Sequence, residues 1–176
     1  MTLTDHHATT TDNERVESDG HTLHTSVEPD VRDKVADALC KATADSYTLY
    51  AKTLGVHWNV QGPGFHGLHV MTEEQYEELH EAADAIAERI RALGKLAPTG
   101  NEAFRQLTVI DNDAPHKPTR DMIAELVEDN EKVARRMSEF ARLADEAGDL
   151  FTHDMLVARI GQHEQNAWML RASLAD

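Results

Sequence analysis

Apolar side chains recur at three- and four-residue steps along four long stretches of the chain, the pattern of helices that bury one face. The first stretch carries Val31, Val35, Leu39, Ala42, Leu49, Thr53 and Val56. Pro29 suits its opening turn, where a missing N–H leaves nothing unpaired, and Gly62-Pro63-Gly64 stops it just after Trp58 to Val60. A second helix begins near Gly67, with Leu68, Leu79, Ala83, Ile86, Ile90 and Leu93 on one face, and ends at Gly94 and Pro98-Thr99-Gly100. Residues 101–118 form a connection with a short helix around Ala103 to Leu107. A third helix follows Pro118, with Thr119 as its N-cap and Ile123, Leu126, Val127, Val133, Met137, Phe140 and Leu143 as its stripe, and Gly148 closes it. Asp149 caps a fourth helix carrying Phe151, Met155, Leu156, Ile160, Ala167, Leu170 and Leu174. Strand-like alternation is absent. The predicted fold class is all-α, a four-helix bundle whose second and third helices are joined by a long crossover holding the short helix.

At 176 residues the chain is long enough for one domain with a real core. Residues 29–176 make that domain. Residues 1–28 make an acidic, flexible tail, rich in Thr and containing His6, His7, His21 and His24 but almost no large apolar residue. Burial cannot offset the entropy of ordering such a segment. No apolar run approaches the roughly 20 residues of a membrane span, and no basic-then-apolar secretory signal opens the sequence. The single cysteine, Cys40, excludes a disulfide framework and a cysteine zinc site. The expected setting is a reducing cytoplasm. Acids outnumber bases 32 to 17, for a net charge of −15. Such a surface repels phosphates and anionic lipid and attracts cations. It suits a halophilic, high-salt cytoplasm, where screening relieves self-repulsion, or simply an acidic cytosolic protein.

Beside the apolar face of the second helix runs another stripe: His69, Glu73, Glu77, His80, Asp84 and Glu88, at steps of four, four, three, four and four. These residues fall within an arc of about 100°. A solvated face is one explanation. Against it stand the two histidines and the stacked like charges, each pair costing a few tenths of a kcal/mol that a cation would reverse. His69 with Glu73 can share an ion, and so can Asp84 with Glu88, but the two pairs are centred about 22 Å apart along one helix. Within a single helix they cannot meet. However, His69 with Glu88, and Glu73 with Asp84, are both centred between residues 78 and 79. Two copies packed antiparallel about a twofold axis there would set His69 and Glu73 against the partner subunit's Glu88 and Asp84, twice per dimer. His57, at the end of the first helix, is the remaining candidate ligand. Imidazole with carboxylate suits iron, manganese or zinc rather than calcium.

The run Lys52-x4-His57-Trp58-Asn59-Val60-x-Gly62, followed by Phe65-x2-Leu68-His69, then Glu73, Tyr76, Asp84, Ile86, Ala87, Glu88 and Arg89, resembles the Dps family of mini-ferritins. The likeness covers residues 30–175, including Gly148-Asp149-x2-Thr152. It implies a ferritin-like bundle assembled as a homo-oligomer, a hollow shell of twelve subunits with ferroxidase centres at its twofold interfaces. By that resemblance His57, His69 and Glu73 of one subunit, with Asp84 and Glu88 of its neighbour, hold two irons. The family often has Asp where Glu73 stands; the extra methylene can shift the geometry but keeps the carboxylate. Trp58 would sit against the centre, donating an electron or shielding a radical, or would pack as a core aromatic. The implied chemistry is oxidation of Fe(II) by hydrogen peroxide, or more slowly by dioxygen, and storage of Fe(III) mineral, which protects the cell and its DNA. Glu74, Glu77, Glu78 and Glu81 are candidates to nucleate mineral, with a solvated surface as the alternative. Asp145, Glu146, Asp149 and Asp154 are candidates to line a cation entry pore.

One departure matters. Many family members bind DNA through a Lys/Arg-rich N-terminal tail, whereas the first 30 residues here hold seven acids and one Arg. Direct DNA binding is expected to be weak or absent at moderate salt. The alternative, a DNA-compacting protein with little iron chemistry, is opposed by that tail and by the intact ligand set. A di-iron site inside one bundle, as in larger ferritins, needs two Glu-x-x-His motifs. Glu77-x-x-His80 stands alone, since His163 has no Glu three positions before it. A purely structural helical oligomer leaves the His-Trp-Asn run unexplained.

Overall fold

The computed structural model describes residues 25, 27–111 and 117–175. Its helices are α1 (Pro29–Asn59), α2 (Phe65–Ala92), the short α3 (Asn101–Leu107), α4 (Thr119–Glu146) and α5 (Leu150–Ala172), with no strand among the described residues. The four long helices and the short one in the connection are those the periodicity predicts. α1 packs on α2 and α4 on α5, forming two hairpins that face each other mainly through α1 and α4, while α3 lies on α1.

The apolar stripes close the interior: Leu39, Leu49, Leu79, Ile86, Ile90, Ile123, Leu126, Met137, Leu156 and Leu170 are all buried. Phe151 departs from the expected pattern. Periodicity sets it on the core face, yet it is 62% exposed and carries the Arg89 guanidinium 5.0 Å from its ring centroid. In the first turn of α5 the ring is met by this α2 side chain rather than by the apolar core, and most of it is left open to solvent.

Ion pairs fix the register between the hairpins. Lys52 meets Asp129 at 2.6 Å and Arg136 meets Asp45 at 3.1 Å, both between α1 and α4. The α1 numbers fall as the α4 numbers rise, so these helices are antiparallel. Glu78 with Arg159, and Asp149 with Arg89, pair α2 with α5 in the same sense. α4 therefore begins where α1 ends, and the 93–118 connection has to traverse the length of the bundle, as a crossover does. Asp45 is fully buried and also accepts from Val109 N at 2.8 Å and Thr108 Oγ1 at 3.0 Å, tying that crossover down. Burial pushes its carboxyl pKa up, against the pull of these donors.

Both caps of the second hairpin are readable in hydrogen bonds. Gly148, at φ +69°, donates to Asp145 O while Asp149 N reaches Ala144 O, a Schellman ending that needs a left-handed residue. Asp149 then caps α5, accepting from Thr152 N at 3.0 Å and Thr152 Oγ1 at 2.6 Å. Thr119, expected to cap α4, lies one residue inside it, and Pro118 holds the cap position. Its hydroxyl instead donates to Gln61 O and accepts from Gln61 N, each at 3.1 Å.

His163 sits at the heart of the bundle, completely buried, with Nδ1 3.0 Å from Asn130 Oδ1. The amide nitrogen of Asn130 donates to Leu126 O, so Oδ1 accepts from the imidazole. Burial, then the charge of Arg159, lower the His163 pKa from 6.5 to about 3. As pH falls, the unfolded chain therefore takes up this proton first. The site's contribution is complete above pH 6.5 and is lost progressively as pH falls toward 3. His163→Gln should cost about 1–3 kcal/mol near neutral pH, by disturbing the pairing of Asn130. It should also flatten the loss of stability below pH 6.5, read as melting midpoint against pH. Equal acid slopes in the two proteins would contradict this.

Candidate metal centre

The turn between α1 and α2 brings His57 and His69 face to face, their rings 3.8 Å apart and 18° from parallel. His57 Nδ1 lies 2.9 Å from the His69 carbonyl oxygen, and His69 Nδ1 lies 3.1 Å from the His57 carbonyl oxygen. A carbonyl oxygen only accepts, so both Nδ1 atoms donate. In the neutral ring that leaves each Nε2 with its lone pair, the form that ligates metal, and the Nδ1 bond holds the ring's orientation. Phe65 stacks on His69 at 5.1 Å, and Tyr76 stands edge-on to His57 at 5.2 Å. His57 is buried and His69 half-buried.

Glu73 lies one turn beyond His69 and is half-buried. Desolvation, then the charges of Glu73 and Glu77, push the Tyr76 phenol above its ordinary pKa, with Glu73 as its hydrogen-bonding neighbour. Asp84 and Glu88 are exposed further along α2, Asp84 about 16 Å from Glu73 along the axis. Thus one chain brings His57 and His69 together, with Glu73 one turn along α2 from His69, and does not bring Asp84 and Glu88 to them. Among the described residues no three His, Cys, Asp or Glu side chains of the single chain gather as a metal-holding group. Trp58 is 69% exposed, so within one chain it is not a core aromatic.

The other acids divide. Glu74, Glu77 and Glu81 are exposed on α2, and Asp145, Glu146 and Asp154 are exposed around the α4–α5 turn. Glu78 is engaged by both terminal nitrogens of Arg159, one at 3.0 Å, and so is not a free nucleating carboxylate. Asp149 corrects the expected pore set. It is buried, bound by Thr152 and by Arg89 at 2.7 Å. Burial would raise its carboxyl, but these hydrogen bonds outweigh burial and hold it below the usual carboxylate range. The tail histidines His6, His7, His21 and His24 lie outside the described residues.

Sequence reasoning gave Tyr76 no role and did not single out Tyr50. Tyr76 follows His69 by seven residues and Tyr50 precedes His57 by seven, two turns on the same helix face. That spacing was the available signal.

The family model for a ferritin-like domain matches residues 36–176. A low temperature-induced protein of Nostoc is 42% identical over 80% of this chain and 80% of its own length. DNA protection during starvation protein 2 of Bacillus anthracis is 32% identical over 80% of this chain and 97% of its own. The crystal structure of Dps from Vibrio cholerae, described as a member of a broad superfamily of ferritin-like diiron-carboxylate proteins, matches with a TM-score of 0.81 at 27% identity. It covers 89% of this chain and 99% of that one. With its bundle, its crossover and its histidine pair, the chain belongs to the Dps family of ferritin-like proteins.

Proposed function

We propose that this protein oxidises Fe(II), with hydrogen peroxide or more slowly with dioxygen, at centres shared between two copies of the chain. The Fe(III) product would be stored in the hollow of a twelve-subunit shell. The observation that carries this is the reciprocal histidine pair, which leaves two Nε2 lone pairs free, with Glu73 one helical turn beyond His69. Asp84 and Glu88 stay exposed at the spacing that a twofold, antiparallel pair of α2 helices would bring to them. His57 and His69 would bind and orient the iron. The carboxylates of Glu73 and of the partner subunit's Asp84 and Glu88 are hard anionic oxygens, which stabilise ferric product more than ferrous substrate. Peroxide takes one electron from each of two Fe(II) and two protons from solution, leaving two Fe(III) and two waters.

Glu74, Glu77 and Glu81 are the acids left to receive mineral, and Asp145, Glu146 and Asp154 those left to attract cations at an entry pore. The relatives' names speak of DNA protection and of diiron-carboxylate proteins. Here protection would come from removing ferrous iron and peroxide together, since a chain of net charge −15 lacks the positive field that phosphate binding needs.

Asp84→Ala and Glu88→Ala should each slow the rise of ferric absorbance after Fe(II) and limiting peroxide by about tenfold or more, the loss that even outer ligand partners cause. Wild-type rates in both variants would overturn the shared centre. In a gel shift at about 0.15 M salt, near the physiological value, duplex DNA should stay unshifted. Tight binding would favour the DNA-compacting alternative.

A further inference from the structure

All three tyrosines of the chain, Tyr47, Tyr50 and Tyr76, form one line of ring contacts that starts at the histidine pair. Tyr76 meets His57 edge-on at 5.2 Å, and Tyr50 meets Tyr76 edge-on at 6.2 Å. Tyr47 meets Tyr50 at 5.8 Å and stacks on Phe104 of α3 at 4.6 Å. Tyr76 and Tyr50 are half-buried, whereas Tyr47 is 39% exposed beside a surface cleft bordered by Thr48 and Asn101. Packing alone does not call for phenols here, since phenylalanine would fill the same space without hydroxyls to satisfy. The line leads from the candidate iron ligands to the surface.

We propose that these rings are a redox relay: Tyr76 supplies the second electron when peroxide meets a centre holding a single Fe(II), and Tyr50 and Tyr47 carry the oxidising equivalent outward. The relay rests on the ferroxidase function proposed above. Breaking the O–O bond of peroxide to give two waters needs two electrons, and one Fe(II) supplies only one. Without a second donor, a hydroxyl radical remains. With Tyr76 as donor, Fe(II) becomes Fe(III) and the phenol gives one electron and one proton. That proton and one more from solution complete the two waters, leaving a neutral Tyr76 radical.

Tyr50 then returns one electron and one proton to Tyr76, and Tyr47 does the same for Tyr50. Each exchange trades a neutral phenol for a neutral radical, so no charge is stranded between helices. At Tyr47 an external reductant of the thiol class gives up a hydrogen atom and ends the sequence. Trp58 is a poorer start for such a line, because it is 69% exposed and would deliver the radical straight to solvent.

The test uses the full-length protein with one Fe(II) per chain, mixed with peroxide and frozen for electron paramagnetic resonance. Wild type should show an organic radical whose hyperfine pattern changes when the protein is grown with ring-deuterated tyrosine. Tyr76→Phe should lose that signal. Tyr50→Phe should keep it with slower decay, the radical being stranded on Tyr76, and should retain the wild-type rate of ferric absorbance at two Fe(II) per chain. The relay is overturned by a full signal in Tyr76→Phe, by insensitivity to tyrosine deuteration, or by wild-type decay in Tyr50→Phe. A two-iron rate in Tyr50→Phe that falls with the radical overturns it too. Ferric absorbance in wild type with no radical at one Fe(II) sinks the relay alone, whereas no ferric absorbance at two Fe(II) sinks the ferroxidase function beneath it.

Discussion

Two hydrogen bonds hold the end of α1 to the start of α2: His57 Nδ1–H to the His69 carbonyl and His69 Nδ1–H to the His57 carbonyl. The last carbonyls of any helix lack partners within it. The His57 carbonyl is one of these, because Gln61 N, which would otherwise reach back to it, binds Thr119 Oγ1 instead. His69 fills the gap. The same contact that finishes α1 therefore selects the tautomer of both rings and orients their free nitrogens. A ligand pair built this way is as rigid as the helix junction that contains it, and Thr119 couples that junction to the first turn of α4.

The ion pairs explain how so acidic a chain folds, and they withdraw four of its bases from the outer surface. Lys52, Arg89, Arg136 and Arg159 are all engaged by acids between helices. Asp45, Asp129 and Asp149 are buried in doing so. Removing one member of such a pair strands its partner, at a cost of about 3–5 kcal/mol where both are well buried. Bases held inside the bundle are unavailable to phosphate. The acids that remain on α2 and around the α4–α5 turn are left facing outward, where a cation or a second copy of the chain can meet them.

How much of this was legible in the sequence depends on how far apart the partners lie. Helix positions and the crossover follow from local periodicity and from Gly62, Gly94 and Gly148, and they agree with the structure to within a few residues. The numerical symmetry of His69, Glu73, Asp84 and Glu88 is likewise a property of a single helix. Buried polar contacts are different. Asp45 and Arg136 are 91 residues apart, and Asn130 and His163 are 33 apart, so no local window reveals them. Periodicity says which face Phe151 shares, not whether another element covers it, and residue type alone does not tell whether Thr119 or Pro118 holds the cap position of α4. Asp149 was legible as a cap but not as the partner of Arg89, which is why it was also counted, wrongly, among the pore acids.

The claim most exposed to test is that each centre draws ligands from two chains. Two variants, one lacking His57 and His69 and the other lacking Asp84 and Glu88, can be unfolded together and co-assembled. In a mixed twofold dimer one centre loses every one of these four ligands and the other keeps all of them. Shared centres require that each parent be inactive and that co-assembly restore peroxide-dependent ferric absorbance. Co-assembled protein as inactive as its parents would contradict the shared centre.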